Sequence, residues 1–331
     1  MKRIDAHCHY NGINEHLLAL LGRLNLLTVN ISVAMPGELW LRQNAFYLRQ
    51  LQERPDHFAW ITSFPVPEGD TSGYVDQCIA GLELDFEAGA IGCKIWKNIG
   101  MDLVDGAGRL YKCDDEIFQP IYEYLTAKKK PLLMHIGEPL ACWLPLEENK
   151  PHCGYYKSEP QWHMYNFPEK PHHQMHIDAR DQVLERNPEL VVVGAHWGSL
   201  EYDTDEIGKR LDRYPNFYVD SSARLWDIAL QETTKVKEFF EEYQDRLLWG
   251  TDAVAMTPDF NDFSAIAISD IDYAAALYQV EFAYYEGDHV DIWGNHYKGL
   301  ALPQSILNKF YVQNALGVYG DLHDVYTSTS S

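Results

Sequence analysis

Ile4-Asp5-Ala6-His7-Cys8-His9 opens the chain as a short, mostly apolar strand with two histidines one residue apart. Strand side chains alternate between faces, so His7 and His9 project to one side, about 7 Å apart along the strand. Two imidazoles aimed into one space form half of a divalent-metal site. Three later apolar runs make the pattern informative, because each ends in another ligand or catalytic group. They are Pro131-Leu132-Leu133-Met134-His135, Leu190-Val191-Val192-Val193-Gly194-Ala195-His196 and Leu247-Leu248-Trp249-Gly250-Thr251-Asp252.

Working outward from these runs, the chain alternates strand-like and helix-like segments. Strands are expected over 2–9, 27–34, 58–63, 90–96, 131–135, 190–196, 216–220 and 247–252. Several lack clean alternation, as parallel strands covered on the outside do. Helical period marks 38–53, 73–88, 115–129, 174–187, 203–213 and 233–243. Ile117, Ile121, Tyr124 and Leu125 recur at three- and four-residue steps, as an amphipathic helix requires. Eight such units predict an α/β fold, a (β/α)₈ barrel forming one domain over 1–331. Two long loops are expected at the strand ends, 136–172 after the fifth strand and 253–272 after the eighth. Loops at that face of a barrel carry function. The first holds Trp143, Tyr155, Tyr156, Trp162 and His163, candidates to wall a pocket, or to pack within the loop.

Composition narrows the partners. The chain has 331 residues, 46% of them hydrophobic, and a formal charge of −22. That charge argues against nucleic acid or an anionic membrane and leaves a small-molecule substrate as the expected partner. No apolar run reaches the roughly 18 residues of a membrane span. The first strand begins almost at once, without a leader pattern, so the expected location is cytoplasmic, or exported if a leader has been removed. Six scattered cysteines without a Cys-x-x-Cys pair read as reduced thiols. Neither a Gly-x-Gly-x-x-Gly phosphate loop nor a Gly-x-Ser-x-Gly elbow occurs.

In a barrel all strand ends meet at one mouth, so His7, His9, His135, His196 and Asp252 are expected to converge. Imidazoles with a carboxylate suit Zn²⁺ and, less selectively, Mn²⁺ or Fe²⁺. The ordered set Asp5-x-His7-x-His9, His135, Gly194-Ala195-His196 and Gly250-Thr251-Asp252 resembles the amidohydrolase superfamily, and most of all its amidohydrolase-2 branch of metal-dependent decarboxylases and hydrolases. The resemblance continues to Leu302-Pro303-Gln304-Ser305-Ile306-Leu307 and Tyr311-x-x-Asn314-Ala315, similar to that branch's final helix. It implies one metal ion on His7, His9, His135 and Asp252, with His196 as acid/base and Asp252 sharing the proton of bound water. The residues alone leave His196 open as a ligand. A homodimer is a further expectation from the family.

Other residues carry two readings each. Lys94, in Gly92-Cys93-Lys94-Ile95-Trp96, lies where binuclear relatives carry a carboxylated lysine bridging two metals; it could equally reach substrate or pair with an acid. Arg224 follows the seventh strand and suits a substrate carboxylate, or a structural ion pair. Trp143 is a candidate substrate contact, and Glu138 could orient a ligand. Arg180 and Asp181 read as structural. His172, His173 and His176 lie away from the strand ends and are not expected to bind metal. The leading reaction is metal-assisted hydrolysis of a C–N or C–O bond in an amide, lactam, lactone or ester. Its rival is non-oxidative decarboxylation of a small, possibly aromatic, acid; a barrel that binds metal or ligand without turnover is the third reading.

Overall fold

The computed structural model describes residues 2–147, 151–257, 259 and 262–327. Nine parallel strands run in the order β8-β7-β6-β5-β4-β3-β2-β1-β9. They are β1 (Arg3–Tyr10), β2 (Leu26–Ile31), β3 (Phe58–Ser63), β4 (Cys93–Ile95), β5 (Leu132–Met134), β6 (Val192–Gly194), β7 (Phe217–Asp220), β8 (Leu247–Leu248) and β9 (Ala253–Ala255). β8 and β9 are two pieces of one path: β8 pairs with β7 and β9 with β1. Between them Ala6 N–H donates to Trp249 O (2.9 Å) and Asp252 N–H to His7 O (2.7 Å), so the sheet closes on itself as a TIM barrel.

All eight expected strands form, with observed edges mostly inside the expected ones. β2, β3 and β4 are buried at every residue. That explains their lack of clean polar–apolar alternation, since helices cover the outer face of the sheet. The six expected helices appear as Leu39–Glu53, Tyr74–Glu87, Gln119–Lys128, His173–Arg186, Thr204–Arg213 and Thr233–Glu242. Asp203 begins its helix from outside, its side chain accepting from Asp205 N–H as an N-cap.

The second long loop is shorter than expected. β9 takes its first residues, and Ile268–Glu286 is a helix of 19 residues that the sequence reading had not assigned beyond residue 272. That helix spreads its apolar residues around the whole cylinder, which hides the periodic stripe. A two-stranded hairpin, β10 (His289–Ile292) and β11 (Asn295–Lys298), was also unforeseen. The described residues of 136–172 form only short helices and turns, packed around a small core in which Cys142, Tyr156 and Met164 meet Met101. All six cysteines are free thiols. No helix among the described residues is long and apolar enough to cross a membrane.

Candidate metal and substrate site

β1 brings His7 and His9 to the mouth, their ring centroids 5.5 Å apart. The bend between β8 and β9 delivers Asp252 to them. Its Oδ1 lies 3.2 Å from His9 Nε2 and 3.6 Å from His7 Nε2. Donor atoms of His7, His9 and Asp252 all fall within 4.8 Å of one another, the one such grouping of three among the described residues. Asp5, fully buried, accepts from Thr251 N–H (3.1 Å), Thr251 Oγ1–H (2.6 Å) and Tyr278 O–H (2.8 Å). It thereby ties β1 to the residue preceding Asp252. Burial pushes the Asp5 carboxyl up to about 6 even though these bonds oppose it.

His135 stands outside that trio. Its ring meets His196 edge-on at 4.3 Å, and its Nδ1 is 3.2 Å from His196 Nε2. His196 Nδ1 in turn is 2.9 Å from Ser222 O. A carbonyl only accepts, so the network assigns the His196 proton to Nδ1, leaving Nε2 to accept from His135 Nδ1–H. His135 Nε2 is then a bare lone pair, and it is buried without a partner. A buried acceptor left unpaired is costly unless a ligand takes it. His7 repeats the logic: Asp220 Oδ2 accepts from its Nδ1–H at 2.8 Å, which turns the Nε2 lone pair toward Asp252. The donor set thus fits a divalent ion, with Nε2 lone pairs on His7 and His135, the His9 ring and one carboxylate within reach.

The electrostatics agree. Burial, then neighbouring positive groups, hold His135 and His196 well below the ordinary histidine range, so both rings are neutral. Burial raises Asp252, but the His9 hydrogen bond and the neighbouring His196, His7 and His9 rings outweigh it and hold its carboxyl well below the usual range. Burial likewise opposes Asp220, yet His7, His196 and Ser222 bring it down to about 2. The backbone is strained here too. His196, Trp197, Ala223 and Asp252 are non-glycine residues with φ of 57°, 58°, 56° and 59°. Such left-handed residues cost about 1–2 kcal/mol each and cluster at functional sites. Gly250 has a packing reason: a Cβ there would meet His7 Cβ at 2.8 Å.

Lys94 is buried with its Nζ 3.2 Å from His7 Nε2, beside the candidate trio and paired with a histidine, not an acid. Burial lowers its pKa to about 8, with Asp252 and Asp220 opposing. A cavity of about 240 Å³ opens on this centre, lined by His135, His196, Asp252, Lys97, Glu138, Arg224 and, from the 136–172 segment, His152 and Tyr155. The segment therefore walls the mouth. Trp143 does not line it: its indole N–H donates to Pro171 O (3.1 Å) and its ring packs on His173 and His176. Tertiary packing turns it away, and Tyr155 lines the cavity instead.

Glu138 reaches Lys97 in a close ion pair and lies 3.9 Å from Arg224, so it orients the rim rather than a ligand. Arg224 is buried, lines the cavity and keeps an unpaired Nε. Arg180 pairs with Asp181 at 2.7 Å and lies over Phe217, as a structural residue does.

Sequence reasoning gave no role to Asp220, Ser222, Lys97 or His152. Asp220 ends an apolar strand just as Asp252 does, and the same strand-end signal could have found it. His152 sits in an irregular segment and had no signal. A larger cavity, about 600 Å³, lies between the helices Leu39–Glu53 and Tyr74–Glu87, and none of the mouth histidines lines it.

A family model described as Amidohydrolase, for the amidohydrolase-2 family, matches residues 4–320. No curated protein matches the chain significantly. Among solved structures, the chain is similar to 2,6-dihydroxybenzoate decarboxylase from Rhizobium (17% identity, TM-score 0.57, 97% of this chain and 99% of that one). It is similar to 4-oxalomesaconate hydratase from Rhodopseudomonas palustris (15%, 0.56, 99% and 98%). A third is dihydroxybenzoic acid decarboxylase from Polaromonas sp. JS666, with bound manganese and the inhibitor 2-nitroresorcinol (15%, 0.55, 96% of each). At these identities the likeness is one of fold.

Proposed function

The chain belongs to the amidohydrolase-2 family, and from that premise we propose that it is a metal-dependent enzyme hydrolysing a C–N or C–O bond of a small molecule. The observation that carries this reading is the convergence of His7, His9 and Asp252 within 4.8 Å, beside a His135 whose Nε2 is buried and unpaired. These four would hold one divalent ion, with Zn²⁺ the first expectation and Mn²⁺ or Fe²⁺ accepted by the same donors. Such an ion supplies a water of lowered pKa and polarises a carbonyl.

The chain's own residues do the rest. Asp220 fixes the His7 tautomer, and Ser222 fixes that of His196. His196, neutral and set beside His7 and His135, accepts a proton at Nε2 as its hydrogen bond from His135 Nδ1–H gives way. Asp252, ionised and 27% exposed, is open to the cavity and shares that proton. Lys97 is neutralised by Glu138, so Arg224, buried with an unpaired Nε, gives the cavity a cationic wall, suited to a substrate carboxylate.

That wall favours one second reading, decarboxylation, in which Arg224 holds the carboxylate and His196, having first taken a proton at Nε2, returns it to the carbon left behind. The deciding experiment measures metal content, then assays the metal-loaded protein against lactones, amides and aromatic carboxylates, following acid release and carbon dioxide together. Acid release without carbon dioxide supports hydrolysis, and carbon dioxide evolution replaces it with decarboxylation. A protein that takes up no metal overturns both.

A further inference from the structure

We propose that His152, on the cavity wall, and Asp227, bonded to it from behind, form a substrate-reading pair that recognises a hydroxyl or N–H group of the ligand. The inference rests on the small-molecule reading of this cavity and goes further by assigning its specificity. His152 comes from the covering segment and Asp227 from the short helix Leu225–Ala229 beyond β7. Asp227 Oδ1 lies 2.8 Å from His152 Nε2, and both side chains are nearly buried. A carboxylate only accepts, so Nε2 carries the proton. Nδ1, the ring's other polar atom, has no hydrogen-bond partner among the described residues, and the ring lines the cavity. In the neutral ring it is an acceptor waiting for a donor.

The surroundings point to a ligand as well. Arg224 Nε, on the cavity wall, is buried without a partner, and so are Asp227 Oδ2 and Glu201 Oε2 of the two carboxyls that act on Arg224. Most buried polar atoms in proteins are paired, so unspent capacity concentrated beside a cavity marks a place that a ligand completes. The cavity is smaller than the roughly 300–1,000 Å³ of pockets for drug-sized ligands, which restricts the occupant to a small ring or chain. Arg224 would take its carboxylate while His152 reads a neighbouring hydroxyl. Charged groups facing the pair are Arg224, Glu201, Glu138 and Lys97. Asp227 touches no substrate in this arrangement and acts by positioning His152.

The test titrates the zinc-loaded protein by calorimetry with 2,6-dihydroxybenzoate, 2,6-dimethoxybenzoate, which cannot donate, and benzoate. The dihydroxy acid should bind roughly tenfold more tightly than the other two, the worth of about one good hydrogen bond. His152→Phe should abolish that preference while benzoate affinity and metal content hold, and Asp227→Asn should abolish most of it. If zinc does not load, the proposed function fails, yet the same titration without metal still reads the pair. Nitrogen-15 spectra of the wild-type ring give a second measurement independent of variant folding. The His152 Nδ1 signal should move with the dihydroxy acid and stay in place with the dimethoxy acid. A wild type without preference, a preference that survives His152→Phe, or a silent Nδ1 overturns the proposal.

Discussion

His7 and His9 share one face of a strand, and His173 and His176 share one face of a helix, because their spacings match the two periodicities. Both pairs are buried or nearly so, yet their rings are engaged differently. His7 and His9 meet a carboxylate carried in from β9's edge, and Asp220 turns the His7 lone pair toward it. His173 spends its Nε2 on Ser199 O (2.8 Å), and Trp143 packs against both helix rings. Gly100, at φ 107°, approaches His176 so closely that a Cβ would sit 2.9 Å from its Nδ1. Spacing puts two rings on one face; the third group, delivered by a distant segment, decides whether they form a site or a packing layer.

The largest expected effect breaks the first half of that contrast. His7→Ala with His9→Ala should remove most bound metal while the far-ultraviolet circular dichroism of the barrel is retained. Full metal occupancy in this double variant would put the site elsewhere. Next, His196→Asn should lower turnover by roughly 10²–10⁴-fold, as loss of a positioned acid/base does, with metal stoichiometry unchanged. Metal lost in step with activity would make His196 a ligand.

Asp220→Asn sharpens the comparison further, since it leaves all ligands in place and releases only the His7 tautomer. Metal affinity should fall by roughly 10–100-fold, as for other residues that hold a ligand ring. A competition titration with a chelating dye reads this, and an unchanged affinity would show that Asp220 is only a packing partner.

The smallest effect belongs to the helix pair. Burial depresses His173 and His176 to about 4 from the ordinary 6.5. Between those values the unfolded chain binds protons that the folded chain refuses. Their contribution to stability is therefore complete above about pH 6.5 and is lost as pH falls toward about 4. The urea midpoint should drop across that window, and His176→Gln should flatten the drop without altering metal content. A variant that loses metal would erase the distinction between the two groups.

The sequence by itself determined the barrel and its directionality. Apolar runs of the length of β3 and β6, separated by helical stretches, leave little choice of architecture, because each strand must be covered on both faces. It also determined that His7, His9, His135, His196 and Asp252 stand at strand ends, since a polar residue closing an apolar run has nowhere else to go. The tertiary structure decided what each of them faces. Asp252 reaches His9 only because the eighth strand breaks at a left-handed residue, and no local pattern encodes that bend. Of the candidate pocket walls, Trp143 packs on His173 and His176 while Tyr155 lines the cavity, joined by the unexpected His152. The helix from Ile268 escaped notice because it is apolar on too many sides to show a period. Periodicity records burial against a nearby layer. Contacts between segments over two hundred residues apart, such as His7 with Asp220, leave no trace in either segment alone and exist only once the sheet has closed.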